Sequence, residues 1–216
     1  MANEVAVIVG AGSGLGAALA RAEVKGGMKT VVSAREPTRL EAVARASGAV
    51  GIAADSTKKP EVDDLFAEVE RRLGPPSLVV YNASRWLRGP VVDLDPAQVQ
   101  AAIEVSAFGG FLVAQAAVRR MLPLGRGTLL FTGASASVKG YAQSAPFAMG
   151  KFALRGLAQS LARELGPKGL HVAHIVIDGG IGRDEGSNTQ LGPDAIAATY
   201  LICTGSRAAP GPRSST

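Results

Sequence analysis

The feature that most constrains this chain is the alternation of short β-branched runs with longer stretches of helical periodicity. The runs at 5–9, 30–33, 50–54, 77–81, 127–132 and 170–177 are almost continuously apolar. A strand with one wet face alternates apolar and polar residues, so runs of this kind predict strands covered on both faces. Between them, Val62, Leu65, Phe66, Val69 and Leu73 share one helical face, as do Leu154, Leu157, Ala158, Leu161 and Leu165. Pro37, Pro60 and Pro96 stand where helices begin, and Gly166 and Gly169 flank the end of another. Repeated β-α-β units predict an α/β fold: a doubly wound parallel sheet with helices on both faces, a three-layer sandwich.

The 216 residues, 47% hydrophobic and 19% charged, suffice for one compact domain, placed at 1–202. Beyond residue 177 the composition changes. Residues 178–192 are rich in Gly, Asp and Ser and predict a loop, 193–202 a short helix, and 203–216 an unstructured tail. No run of about 18 uninterrupted apolar residues and no basic, apolar leader is present, so the expectation is a soluble cytoplasmic chain with no membrane role. A single cysteine, Cys203, and two histidines, His171 and His174, leave little with which to build a disulfide framework or a metal site, and none is expected. The net charge of +5 is carried by scattered arginines without a basic block or interleaved aromatics. An anionic cofactor explains it better than nucleic acid.

The sharpest motif follows the first run, where Val7-Ile8-Val9 leads into Gly10-Ala11-Gly12-Ser13-Gly14-Leu15-Gly16 and then a helical stretch. Glycines there allow a tight turn and close approach of backbone to a pyrophosphate, and the following helix N-terminus offers unpaired amides and positive dipole. In isolation the same glycines would make an ordinary strand-to-helix turn. In this context they predict dinucleotide binding. The second run ends Val32-Ser33-Ala34-Arg35, with no acid before Glu36. An acid at that point accepts from a ribose 2'-hydroxyl, whereas arginine pairs with a 2'-phosphate. Arg35, with Arg39 a turn later, therefore favours NADP over NAD, unless Arg35 is simply a solvated loop residue.

The GxxxGxG spacing of Gly10, Gly14 and Gly16 is followed in order by Asp55, by Asn82-Ala83-Ser84 and by Lys151. With these landmarks the chain resembles a short-chain dehydrogenase/reductase over residues 4–202. The resemblance implies a Rossmann-type fold and an oxidoreductase acting on a small-molecule carbonyl or alcohol. It implies that Asp55 contacts adenine, that Asn82 and Ala83 line the cofactor, that Lys151 holds the nicotinamide ribose, and that the backbone near Gly179 and Ile181 faces the carboxamide. It also implies a homodimer or homotetramer formed through the helices at 96–121 and 146–166.

Departures from the family pattern bear on the chemistry. The family's proton-donating tyrosine, four residues before the lysine, is here Phe147, which cannot transfer a proton. Ser106 stands where the family has a helical asparagine. Counting back from Phe147 places Ala134 at the position of the substrate-polarising serine, with Ser135 next and Ser137 beyond. The Pro-Gly after the sixth run becomes Asp178-Gly179, where Asp178 either caps the turn or alters the substrate loop. Two readings follow. One is an enzyme in which Lys151 orients the ribose, Ser135 or Ser106 binds the substrate oxygen, and water or a displaced donor such as Tyr141 supplies the proton. The other is an NADP-binding pseudoenzyme or assembly subunit.

The resemblance further implies a last strand after the short helix, yet 206–216 is too rich in Pro, Gly and Ser to form one. A change of reading frame would account for this, since a GC-rich coding of 203–216 read one frame over gives a strand-bearing C-terminus. Sequencing the gene tests it.

Overall fold

The computed structural model describes residues 4–182 and 190–204. Six parallel strands form the main sheet: β1 (Val5–Val9), β2 (Lys29–Ser33), β3 (Val50–Gly51), β4 (Leu78–Tyr81), β5 (Gly127–Ala134) and β6 (Leu170–Ile177). Their order is β3-β2-β1-β4-β5-β6, so the winding reverses between β1 and β4. Seven helices, α1 (Leu15–Lys25), α2 (Pro37–Ser47), α3 (Lys59–Leu73), α4 (Pro96–Ile103), α5 (Gly109–Met121), α6 (Ala145–Leu165) and α7 (Pro193–Cys203), cover it.

Side-chain alternation divides the core in two. Val5, Val7 and Val9 pack with Leu65 and Phe66 of α3, Val113 of α5 and Leu154 of α6. Ala6 and Ile8 pack on the other face with Leu15 and Leu19 of α1, Leu40 of α2 and Ile196 and Tyr200 of α7. This is the two-sided burial that the continuous apolar runs require. The Tyr200 hydroxyl shares a 2.8 Å hydrogen bond with Thr132 Oγ1 and ties α7 to β5.

Three sequence expectations are corrected in detail. The third strand is only two residues long, although the amides of Ile52 and Ala54 still donate to Val32 and Ala34 carbonyls. An edge segment thus follows β2 without a full ladder. The helix expected at 96–121 is broken by a wide π-type turn over Glu104–Phe108. There the Tyr81 hydroxyl donates to the Val105 carbonyl, and Gly109 and Gly110 bring the next helix against Tyr81 and Leu154. Within 178–192, a two-residue ladder joins β7 (Gly180–Ile181) to β8 (Gln190–Leu191) where only loop was expected. The helical run Pro96–Leu124 is long and apolar enough to cross a bilayer, but more than half of its most apolar window is buried within the fold. The tail beyond residue 204, and with it the expected missing strand, lies outside the described residues.

Candidate active site

The C-terminal ends of β1 and β4 flank the reversal point of the winding, the place where open α/β sheets leave a crevice. The first turn builds one wall. Gly10 has φ of 91°, and a Cβ there would come 2.5 Å from Ala83 Cα, so only glycine lets the two loops meet. A Cβ on Gly16 would lie 2.6 Å from Ala11 Cα, which fixes how closely α1 seats on the turn. The Gly10 and Ala11 amides donate to the Ser33 carbonyl at 2.8 and 3.1 Å, and Asn82 Nδ2 donates to the Gly10 carbonyl at 2.9 Å. These bonds lock the ends of β1, β2 and β4 together. The amides of Ser13, Gly14, Leu15 and Gly16 have no acceptor among the described residues, and the space beside Gly12 and Gly14 is open. The turn is therefore a cradle for an anion at a helix N-terminus.

A cavity of about 1030 Å³ runs along this edge. Its walls include Gly10, Gly12, Ser13, Arg35, Asn82 and Ala83, with Arg21 and Arg39 adding positive charge and Glu36 negative. The expected cofactor residues at the ends of β1, β2 and β4 are thus brought together. Asp55 lies at the end of the β3 segment and accepts hydrogen bonds from the Thr57 amide (3.0 Å) and hydroxyl (2.8 Å). Burial works against its charge, yet these bonds and the cations Arg35 and Lys58 hold its carboxyl below the usual range. Gly179 precedes β7, in which Ile181 is exposed.

The chemistry-bearing residues gather at the ends of β5 and β6. Lys151, in the second turn of α6, is 3% exposed and donates to the Thr132 carbonyl at 2.8 Å. Burial lowers its ammonium to about 8. Phe147, one turn earlier on α6, sits with its ring centroid 5.7 Å from Lys151 Nζ and packs on Trp86 at 4.5 Å between centroids. Arg88 caps the outer side of Trp86, its guanidinium carbon 5.9 Å from the ring centroid. Ser135 is half-buried at the end of β5. Ser106, by contrast, is fully buried in the π-type turn, where its hydroxyl accepts from the Arg85 amide at 3.4 Å. His174 on β6 packs against Gly133, and its buried Nε2 has no partner among the described residues. Burial first, and then Lys151 and Arg155, push it down to about 4, so it is neutral at pH 7.

Sequence reasoning missed Trp86 and Arg88, which lie in the loop after β4. The exposed tryptophan among arginines in Arg85-Trp86-Leu87-Arg88 was the available signal.

The chain matches the model of the short chain dehydrogenase family over residues 4–182, and it belongs to that family, whose members are NAD(P)-dependent oxidoreductases. It is 29% identical over 178 residues to an uncharacterized oxidoreductase of Staphylococcus aureus, covering 81% of this chain and 77% of the relative. It is 28% identical over 176 residues to the short chain aldehyde dehydrogenase 1 of Euphorbia lathyris, covering 79% of this chain and 61% of that one. Among solved structures, a short-chain dehydrogenase from Rhodopseudomonas palustris superposes with a TM-score of 0.81 at 29% identity, over 93% of this chain and 91% of that one. The actinorhodin polyketide ketoreductase, solved with NADPH, shares the fold with a TM-score of 0.85 at 24% identity, over 94% and 90% of the two chains.

Proposed function

We propose that this protein is an NADP-dependent oxidoreductase acting on a small-molecule carbonyl or alcohol. The observation that carries this reading is the pairing, across one cavity, of the open glycine turn with Arg35 and Arg39. The pyrophosphate would lie on the turn from Gly10 through Gly12, Ser13, Gly14 and Leu15 to Gly16, and the 2'-phosphate on Arg35. Asp55 would face adenine, Asn82 and Ala83 would line the cofactor, Lys151 would hold the nicotinamide ribose, and Gly179 and Ile181 would approach the carboxamide. When bound, the cofactor supplies or accepts hydride at its nicotinamide ring. Phe147 stands in this reading where the family's tyrosine would be. Ser135 would bind the substrate oxygen, whereas the fully buried Ser106 supports the loop at Arg85.

Fluorescence titration tests the cofactor assignment: NADPH should bind at least about tenfold more tightly than NADH, and Arg35→Ala should remove that preference, as loss of a charged phosphate contact predicts. Equal affinities in the native chain would remove NADP from the reading. Phe147 favours a second reading, an NADP-binding pseudoenzyme or assembly subunit. Tight NADPH binding with no NADPH oxidation across a carbonyl panel, and none gained in Phe147→Tyr, would select it. A cytoplasmic location and a homodimer or homotetramer complete the proposal, the latter supported by exposed Phe108 at the end of the π-type turn, Phe111 on α5, and Met149 and Phe152 on α6.

A further inference from the structure

The loop between β5 and α6 takes a path fixed at three points. The amides of Val138 and Lys139 donate to the Ser135 carbonyl at 3.0 and 3.1 Å, folding the chain back directly after β5. Ser144 donates its amide to the Tyr141 carbonyl at 3.2 Å just before α6. From the loop after β4, the Gly89 amide donates to the Gln143 carbonyl at 2.9 Å and Arg88 reaches the Ala142 carbonyl at 3.4 Å. Gln143 is held at a φ of 58°, the one left-handed non-glycine residue among the described ones, and such strain persists only where the surroundings impose it. This path sets Lys139 Nζ 5.2 Å from the Tyr141 ring centroid, and Ser135 and Lys139 are the side chains that favour the ionised phenol.

Resting on the oxidoreductase reading, we propose that Tyr141 exchanges the proton with the substrate oxygen, held by Ser135 and Lys139, at the same sheet edge as Phe147 and Lys151. In reduction, the carbonyl carbon gains the hydride and its π pair moves to oxygen. The Tyr141 O–H bond breaks, and the proton joins that oxygen to give the alcohol. The phenolate left behind is stabilised by Ser135 and by the Lys139 ammonium, and at 43% exposure it takes a proton back from water. The environment suits this task. The hydrogen bond to Ser135, then Lys139, holds the phenol below its ordinary value, while Asp178 at the end of β6 opposes them. Arg88 is the further cation on the facing loop. A general acid works best when its ionisation lies nearer the working pH.

The chain has three tyrosines, and burial raises the other two, Tyr81 and Tyr200. Tyrosinate absorbance of the cofactor-free chain therefore reads Tyr141 almost alone. One phenol should ionise below pH 10, the phase should vanish in Tyr141→Phe, and its midpoint should rise in Lys139→Met. With NADPH and a carbonyl panel, Tyr141→Phe should lower kcat by about 100-fold or more while NADPH affinity stays within about twofold, the size of effect a lost general acid produces. In Lys139→Met the pH midpoint of kcat should move upward with the tyrosinate midpoint. Native turnover in Tyr141→Phe, or a phenol that ionises at or above its ordinary value, overturns this assignment alone. NADPH binding without turnover in the native chain overturns the oxidoreductase reading and this assignment with it.

Discussion

At the scale of single residues, the cradle depends on atoms that are absent. Gly10 combines a φ of 91° with contact against the Ala83 backbone, so Gly10→Ala meets a conformational penalty and a steric one together. The expected loss is about 2–4 kcal/mol of stability, measurable by urea unfolding, with NADPH binding weakened beyond what the unfolded fraction explains. A change below about 0.5 kcal/mol, the ordinary range for a surface substitution, would mean that the turn relaxes and Gly10 is not a constraint. Lys151 illustrates the reverse case, a charge whose burial is tolerated because one carbonyl, Thr132, receives it. The pattern of Gly10, Gly14 and Gly16 was legible in the sequence because glycine has few other reasons to recur after a buried strand. Trp86 on Phe147 was not, because that contact joins the loop after β4 to α6, 61 positions apart in the chain.

At the scale of elements, α1 carries a buried carboxyl that the site does not use. Glu23 is 1% exposed, its Oε1 has no partner among the described residues, and burial raises its carboxyl to about 7. Its folded value lies above the unfolded value of 4.5, so the folded chain binds more protons between those limits. Stability is then full below about pH 4.5 and falls by roughly 3 kcal/mol as pH rises to about 7. Glu23→Gln should abolish that slope and be the more stable chain at pH 8, read from urea midpoints at several pH values. Parallel slopes in the two proteins would show that Glu23 ionises freely. The break between α4 and α5 belongs to this scale as well. The family resemblance implied one helix over 96–121, and a π-type turn inserts a residue without ending the helical run. The partner of the break is Tyr81 on β4, whose hydroxyl takes the Val105 carbonyl.

For the whole molecule, assembly is the property most exposed to test. Phe108 is 49% and Phe111 42% exposed, and their rings stack at 6.1 Å between centroids where the π-type turn passes into α5. Clustered apolar residues of this size mark interaction surfaces. Sedimentation should find the native chain as a dimer or tetramer, and Phe111→Asp should shift it toward monomer with helix content unchanged. A native monomer at micromolar concentration would remove assembly from the proposed function.

The sequence by itself determined the layered α/β fold, the order of its strands along the chain and the glycine turn, because each of these is a local pattern of burial or backbone freedom. The boundaries of β3, the π-type turn and the small β7–β8 ladder were decided only by tertiary structure, through the carbonyl of Val105 that Tyr81 claims and the carbonyls of β2 that Ile52 and Ala54 reach. The same holds for the proton donor proposed here. In the sequence Tyr141 stands only as one alternative donor beside water. Its meeting with Ser135 and Lys139 depends on a loop fold that Gln143 and the segment after β4 impose from outside.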